Sequence, residues 1–167
     1  TGVVLDAAFL KDIPNGRDYL AAIAVTPGVV GSGNVNAGGS FDTANQFYVD
    51  GVNTTDPLLN TFSTNLTYEA IESIQVMTGG MDAEYGRSLG AAVNVITKSG
   101  GNDFEGLALI QYSDDNMVIA PALDGDSEDS YLQEQLVLNL GGPIVRDKIW
   151  FYASFQGDRL IRATSID

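Results

Sequence analysis

The residue types that most enzymes use for catalysis are scarce in this sequence. It contains no cysteine and no histidine, which excludes thiol nucleophiles, disulfides, Cys/His zinc sites and imidazole bases. Serine and aspartate are plentiful, but no Ser-His-Asp triad can be assembled without histidine. Asp82 and Glu84 would act as an acid/base pair only if they were buried together, and two residues apart in a turn they are expected to be solvated. We therefore expect no enzymatic activity.

Two other groups of side chains offer binding or modification chemistry. An acidic run supplies hard oxygen ligands of the kind that Ca²⁺ prefers, although it departs from the EF-hand spacing; its members are Asp124, Asp126, Glu128 and Asp129. A solvated loop is the alternative interpretation, and no other cofactor is indicated. Asn53 and Asn65 each begin an Asn-X-Thr sequon and are candidates for N-glycosylation, in an organism that has the machinery.

Charge and hydropathy exclude further classes of protein. The chain has 167 residues and a formal net charge of −14, so we expect no binding to a nucleic-acid backbone. The segment GSGNVN completes no GxGxxG fingerprint, which argues against a nucleotide site. No apolar run reaches about 18 residues, so no transmembrane helix is expected. Thr1 to Val4 lack the features of a signal peptide, and we expect that an exported form would have carried one upstream.

The first part of the chain predicts short helices and a small sheet. Apolar residues at helical spacing run from Leu5 to Ile13, where Pro14 ends the pattern, and a second short helix is predicted at Tyr19–Ile23. A long polar loop is predicted from Asn53 to Thr67. Strands are predicted on either side of that loop, at Gln46–Asp50, Ile71–Thr78 and Ala92–Thr97.

The last third predicts long strands with one apolar and one polar face. The apolar face begins with Leu132, Leu136, Leu138 and Leu140 and resumes at Ile149, after a turn at Gly141–Lys148. Glu134 is the exception on that face. Phe104–Tyr112 is a weaker third strand, joined to the hairpin by an acidic loop. A short turn on one side and a long loop on the other favour a membrane β-barrel, and a soluble β-sandwich is the alternative.

Several passages together resemble the plug domain of TonB-dependent outer-membrane receptors, most of all the Oar-like branch. In chain order they are IPNGRDY at Ile13–Tyr19 with TPGV at Thr26–Val29, NQFYVDGV at Asn45–Val52, Ile71–Arg87, and GAAVNVITKSGG at Gly90–Gly101. The turn GGPIVRDK at Gly141–Lys148 resembles the early barrel of the same branch. One departure is Ala37–Ser40, which stands where the family often has Arg-Gly.

The resemblance implies an α+β plug domain at residues 1–103, with a small mixed sheet and short helices. The first three antiparallel strands of an outer-membrane β-barrel would follow at residues 104–167. It implies a receptor/transporter that binds a ligand and admits it across the outer membrane, energised by a TonB-type protein whose binding box is expected upstream of Thr1. Outward plug loops would contact the ligand, or merely cap the lumen, through Asn53, Asp56, Asn60, Met81 and Asp82. Arg17 and Arg87 lie in matched motifs and would pair with acidic groups on the barrel wall.

Three strands cannot close a barrel. An open edge in lipid leaves backbone N–H and C=O groups unpaired, at a cost of roughly several kcal/mol each. We therefore expect either the remaining barrel strands of a longer receptor, or neighbouring copies that complete the sheet by strand addition. The second alternative predicts a structural subunit of an extracellular filament, with glycans on its sequons.

Overall fold

The computed structural model describes residues 2–14, 17–31, 35–37, 39–64, 66–79, 88–114 and 130–163, with the backbone alone at 130, 131 and 163. The chain divides into two compact units, which we call the N-terminal unit (Thr1–Lys98) and the C-terminal unit (Ser99–Asp167). Within the described residues, no helix has the length and apolar character needed to cross a membrane.

The N-terminal unit is built on a five-stranded mixed sheet. In spatial order its strands are β1 (Gly2–Asp6), β6 (Ile71–Met77), β7 (Ala92–Thr97), β4 (Gln46–Val49) and β5 (Val52–Asn53). Neighbouring strands are antiparallel except for β4 and β7, which run parallel. The sheet confirms the predicted fold class. Smaller elements are the paired strands β2 (Val29–Val30) and β3 (Asn36–Ala37), and 3₁₀ turns at Asp42–Ala44 and Tyr68–Ala70.

The described residues of this unit also form two short helices, α1 (Ala7–Asp12) and α2 (Tyr19–Ile23). Each begins at an aspartate whose carboxylate accepts a backbone N–H: Asp6 from Phe9 at 2.8 Å and Asp18 from Leu20 at 2.9 Å. Such N-caps satisfy donors that the first turn leaves unpaired. The second helix was predicted correctly. The first was wrong at its start, because Leu5 pairs with Ile74 in the sheet and the helix begins after Asp6.

The core of the N-terminal unit draws on both helices and on strands that are distant in sequence. Its fully buried side chains include Ile23 from α2, Phe47 from β4, Ile74 from β6 and Val93 from β7. Burial of side chains of this size stabilises the fold by roughly 1.5–3 kcal/mol each. The parallel contact between β4 and β7 depends on this core, because the two strands lie more than forty residues apart in the chain.

The C-terminal unit is a three-stranded antiparallel sheet in which β9 (Ser130–Val145) lies between β8 (Glu105–Asp114) and β10 (Ile149–Ala163). All three strands were predicted. The predicted turn was too long, however, because β9 continues through Gly141 and Gly142 to Val145 and leaves a turn of only Arg146–Lys148. Both glycines remain in register with β10, opposite Tyr152 and Phe151.

Candidate functional site

Three loops lie at the same end of the N-terminal sheet, next to the first residues of the parallel strands β4 and β7. We call these loops the loop cluster; they are residues 39–45, 54–63 and 88–91. Backbone bonds join two of them, because the N–H groups of Leu89 and Gly90 donate to the Ala44 carbonyl at 3.1 and 3.0 Å. The third is tied to β4, where Thr54 N–H donates to the Phe47 carbonyl at 2.9 Å.

Asn45 holds the base of the cluster. Its side chain is fully buried, and its amide Nδ2 donates to the Val35 carbonyl at 2.5 Å while Oδ1 accepts the Ala91 N–H at 2.8 Å. Gly90 is required beside it, since a Cβ there would lie 2.4 Å from both Asn45 Oδ1 and Ser40 Oγ. A buried amide satisfied at both ends fixes the segments that it joins.

Asn53 and Thr55 attach loop 54–63 to the start of β4. Asn53 Nδ2 donates to Gln46 Oε1 at 3.0 Å, and its Oδ1 accepts the Thr55 N–H at 2.9 Å. Thr55 Oγ1 in turn accepts the Phe47 N–H at 2.8 Å. The predicted ligand contact Asn53 therefore uses both ends of its amide to build the loop. Its roles as ligand contact and glycosylation site stay predictions.

Asp56 shapes the tip of the same loop. Its Oδ1 accepts the N–H groups of Leu58 and Leu59 at 2.7 and 2.8 Å. These two backbone hydrogen bonds, the Leu59 bond first, hold the pKa of Asp56 below its ordinary value. Asn60 donates its N–H to the Asp56 carbonyl at 2.9 Å and adopts a left-handed φ of 50°. Asp56 and Asn60 thus give the tip its geometry, and their predicted ligand contacts remain untested.

Four large apolar side chains of the cluster are exposed, beside exposed polar residues such as Asp42 and Asn60, and these four were not predicted from the sequence. Leu58 and Leu59 at the loop tip are 85% and 59% exposed, and Phe41 and Leu89 on the other two loops are 82% and 88% exposed. The available signal was the position of these residues, since each is a large apolar side chain within a run of Asn, Thr, Ser, Asp or Gly.

Aromatic packing supports loop 54–63 from below. The Phe62 ring lies 4.8 Å from that of Tyr19 and 5.5 Å from that of Phe47, both edge to face. Burial, together with the nearby carboxylate of Asp18, raises the pKa of Tyr19, which therefore stays neutral. The loop is thus anchored in the core of the N-terminal unit.

The opposite end of the sheet is closed by Asp50 and Gly51, which form the turn between β4 and β5. Both have left-handed φ, at 50° and 81°, as two-residue hairpin turns require. The Asp50 carboxylate accepts the N–H and the hydroxyl of Thr97 at 2.9 and 2.7 Å. These hydrogen bonds join the carboxyl-terminal ends of the parallel strands β4 and β7. They account for the Asp-Gly in the matched motif.

Arg17 forms an ion pair with Glu69, and both side chains are largely buried. The neighbouring Tyr68 hydroxyl donates to the Leu10 carbonyl at 2.6 Å. Burial lowers the pKa of Arg17 from its ordinary value, and proximity to Tyr68 partly opposes that shift, but a guanidinium remains charged. The structure therefore gives Arg17 a partner within its own unit, and its predicted contact with a barrel wall stays a prediction.

Several predicted residues lie outside the described part of the chain. They are Met81 and Asp82 of the ligand set, Arg87, the sequon residue Asn65, and the acidic run Asp124, Asp126, Glu128 and Asp129. Among the described residues, no group of three or more acidic side chains is placed to hold a metal ion.

One face of the C-terminal sheet is apolar and exposed. Register places its residues in rows across β8, β9 and β10, such as Ala108–Leu138–Phe155 and Ile110–Leu136–Gly157. We call this the apolar face. At the turn end, the rings of Phe104 and Phe151 lie 6.5 Å apart. A Cβ at Gly142 would lie 2.3 Å from the exposed Phe104 ring, so the ring would have to move if residue 142 carried a side chain.

Glu134, which departs from the apolar pattern, has an explanation in the register. It lies opposite Arg159 on β10, and the two side chains form an ion pair at 3.6 Å in the row that contains Tyr112. A paired charge beside a tyrosine is suited to the boundary of an apolar band.

The other face of this sheet carries a polar network, and we call it the polar face. Ser154 Oγ donates to Asn139 Oδ1 at 2.7 Å, and Gln135 Nε2 and Gln156 Nε2 donate to the two carboxylate oxygens of Asp158 at 2.7 and 2.8 Å. A membrane barrel has a comparable arrangement, with apolar residues outside and polar residues inside, although β8 contributes Leu107 and Leu109 to this face.

Another set of hydrogen bonds fixes the start of the C-terminal unit to its turn. Asn102 Nδ2 donates to the Asp147 carboxylate at 2.6 Å, and Asn102 Oδ1 accepts the Asp147 N–H and the Trp150 indole N–H at 2.9 and 2.7 Å. Gly100 passes so close to β10 that a Cβ would lie 2.1 Å from the Phe151 carbonyl. Gly100 of the matched Ser-Gly-Gly segment is therefore required because two backbones approach closely here, whereas a Cβ at Gly101 would meet no atom within 4 Å.

Comparison with known proteins identifies the family that combines such a mixed-sheet unit with an antiparallel sheet that has one apolar face. The family model described as TonB-dependent Receptor Plug Domain matches residues 3–93. The chain belongs to the TonB-dependent receptor family. A second model, described as Outer membrane beta barrel domain, matches residues 96–166 and places the C-terminal unit in the outer membrane. The predicted family and location are confirmed.

Individual relatives agree with the family. The TonB-dependent transporter Oar of Myxococcus xanthus is 29% identical over 191 residues, covering 99% of this chain but only 18% of Oar. Among solved structures, the siderophore receptor PirA of Acinetobacter baumannii has a TM-score of 0.72 at 22% identity, covering 94% of this chain and 24% of PirA. The outer membrane transporter YddB of Escherichia coli has a TM-score of 0.75 at 11% identity, covering 95% and 26%. The chain thus spans about a quarter or less of these receptors and transporters.

Proposed function

We propose that this chain is the plug, at residues 1–103, and the first three barrel strands, at residues 104–167, of a longer receptor that admits a ligand across the outer membrane. The observation that carries the proposal is the apolar face of the C-terminal sheet, which alternates with a polar network and follows directly on a plug fold. The proposal assigns the chain no chemistry of its own on the ligand.

The dimensions of the apolar face support a membrane position. From the row of Phe104 to the row of Tyr112, the strand rises about 26 Å at about 3.3 Å per residue. At a tilt of about 40°, this is about 20 Å along the membrane normal, close to the apolar band of roughly 25 Å in outer-membrane barrels. Aromatic side chains lie at both limits, as the girdles of such barrels do.

Among the described strands, β8 and β10 lie at the two edges of the three-stranded sheet, and this position supports a longer protein. In lipid, each unpaired backbone group costs roughly several kcal/mol, and plugged transporter barrels close with about 22 strands. The remaining strands of the same receptor would pair both edges. The comparisons lend no support to the alternative of a filament built by strand addition, and we do not propose it.

The loop cluster is the part of the plug that we assign to ligand contact. It lies at the end of the sheet opposite Thr97, which is the last residue of β7. Its loops are fixed by Asn45 and Asp56, so their exposed side chains are held ready for binding. On the strength of the family alone, we also propose a TonB-type energising protein as the partner.

Removal of the plug tests the proposal without knowledge of the ligand. In the receptor that contains this chain, deletion of residues 2–97 should leave an open channel, so that cells become sensitive to a large antibiotic that intact outer membranes exclude. The matched control is Gln111→Arg, a change on the polar face that leaves the plug in place, and it should keep the antibiotic out. The proposal fails if the deleted receptor assembles in the outer membrane, as judged by heat-modifiable migration, and sensitivity does not rise.

A further inference from the structure

In the loop cluster, some polar side chains form hydrogen bonds within the protein while large apolar side chains are exposed to solvent. Two of its polar side chains bond within the protein: Asn45 to Val35 and Ala91, and Asp56 to Leu58 and Leu59. Four large apolar side chains are exposed instead: Phe41, Leu58, Leu59 and Leu89. Large apolar side chains left exposed on loops at one end of a sheet are candidates for contact with a ligand.

The described residues of the loop cluster include no lysine or arginine, whereas Arg87, which precedes loop 88–91 in the sequence, lies outside the described part of the chain. The sequence contains no lysine or arginine between Arg17 and Arg87, and Arg17 is paired with Glu69. Acidic residues are frequent in the same stretch: Asp18, Asp42, Asp50, Asp56, Glu69, Glu72, Asp82 and Glu84. Asp42 and Asp56 belong to the loop cluster itself, beside the exposed Phe41 and Leu58. A concentration of one sign of charge repels ligands of that sign and raises the local concentration of the other.

We propose that the loop cluster binds a cationic amphipathic ligand, with the chemistry of a basic, apolar peptide segment, and that it discriminates against anionic metal chelates. The inference rests on the proposed function, because it names the substrate class of the same ligand site. The leucines of the loop tip, with Phe41 and Leu89, supply the apolar contact, and Asp42 and Asp56 supply the complementary charge. A chelate with several negative charges is ordinarily held by arginine and lysine, which the described loops lack.

Binding to the purified, detergent-solubilised receptor tests the proposal with three probes. The first is a fluorescent amphipathic peptide that carries lysines on its polar face. The second has the same apolar residues with glutamates in place of the lysines, and the third is a triply anionic ferric tris-catecholate. We expect the basic peptide to bind at least tenfold more tightly than the other two, and to weaken as salt is added. Equal or tighter binding of the chelate would overturn the proposal.

Variants locate the binding surface. Leu58→Ser with Leu59→Ser should weaken the basic peptide about tenfold, as loss of two buried apolar contacts would. Val4→Ser, at an equally exposed valine on edge strand β1, is the matched control and should change nothing. Asp42→Lys should reduce the preference for the basic over the acidic peptide, since Asp42 is exposed at the cluster. An unchanged preference, or equal effects of the leucine and valine variants, would refute the assignment.

The outcome separates this inference from the proposed function. If plug deletion opens the channel but the basic peptide fails to bind or to outcompete its acidic counterpart, the receptor function stands and the ligand class is wrong. If plug deletion opens no channel, the receptor function itself fails. Retained antibiotic exclusion by the loop variants establishes that their plugs remain folded.

Discussion

In the N-terminal unit, the side chains of Ile74, Val76 and Val93 on β6 and β7 are buried in a closed core. In the C-terminal unit, the side chains of Ile110 on β8 and Phe155 on β10 are exposed. Both sets come from strands in which apolar residues occupy alternate positions. The difference lies in the second layer: helices and loops cover the first sheet, and the apolar face of the second sheet is left for lipid. Strand alternation therefore defines two faces and leaves open which solvent meets each of them.

The two units also use polar side chains differently. In the N-terminal unit, Asn45 and Asp50 join segments that are distant in the sequence, so their loss would disturb the topology. In the C-terminal unit, Gln135, Ser154 and Asp158 bond across neighbouring strands on a face that barrels keep polar. We infer that polar substitutions in the first unit act on folding, whereas in the second they act mainly on the properties of the lumen.

Truncating one phenylalanine in each unit tests this comparison with the largest expected effect. Phe47→Ala should destabilise the plug by about 3–5 kcal/mol, because the cavity lies in a closed core beneath Phe62. Phe155→Ala should cost only about 0.5 kcal/mol, because lipid can fill the space beside an exposed face. Hydrogen exchange of the β6 and β7 amides would measure the first effect, and the urea midpoint of barrel unfolding the second. Similar losses from both variants would mean that the two faces do not differ as we describe.

Adding a charge at two adjacent residues sharpens the assignment of the faces. Ile110→Arg puts a guanidinium on the apolar face and should lower barrel stability by about 2 kcal/mol, as charges within the bilayer do. Gln111→Arg, its neighbour on the polar face, should be nearly neutral. The fraction of receptor that assembles in the outer membrane reports both. If Gln111→Arg proves the more damaging, the faces have been assigned the wrong way round.

Much of the fold could be predicted from sequence because the strongest signals are local. The strands β6, β7 and β8 each carry their own alternation, and each was predicted within a few residues of its bounds. The edge strand β1 was missed because Leu5 fits both an alternating strand and a helical stripe with Phe9 and Ile13. Only its pairing with Ile74 decides between them, and that contact spans most of the unit.

The candidate site was harder to predict, because its residues are defined by partners that lie far away in the chain. Asn53 and Asp56 were expected to face a ligand, yet the oxygens of both accept backbone hydrogen bonds that build the loop. Glu134 departs from the apolar pattern, and only the strand register, which places it opposite Arg159, explains the departure. The exposed Leu58 and Leu59 were overlooked because a polar loop composition directs attention to its polar side chains.

A methyl group at Gly90 tests whether Asn45 fixes the loop cluster. Gly90→Ala would place a Cβ 2.4 Å from Asn45 Oδ1 and Ser40 Oγ, and the resulting overpacking should cost about 1–3 kcal/mol. Gly79→Ala is the matched control, since a Cβ at that position would meet no atom within 4 Å. Urea titration of the plug, followed by hydrogen exchange at β4 and β7, measures both. No difference between the two alanines would remove Asn45 as the organising residue.

The smallest effect we expect is a pH dependence confined to the tip of loop 54–63. The pKa of Asp56 is lowered in the folded loop from an ordinary value of 3.8, so ionised Asp56 stabilises the tip at pH values above the unfolded pKa. This contribution is lost as the pH falls through the lower, folded pKa. Protection of the Leu58 and Leu59 amides against exchange, corrected for intrinsic rates, should fall in that acidic range. Asp56→Asn keeps an acceptor that does not titrate, so its protection should not change there, whereas Asp56→Ala should lack protection at every pH. If the asparagine variant loses protection at the same pH as the native loop, another group controls the tip, and the loop is not held by Asp56.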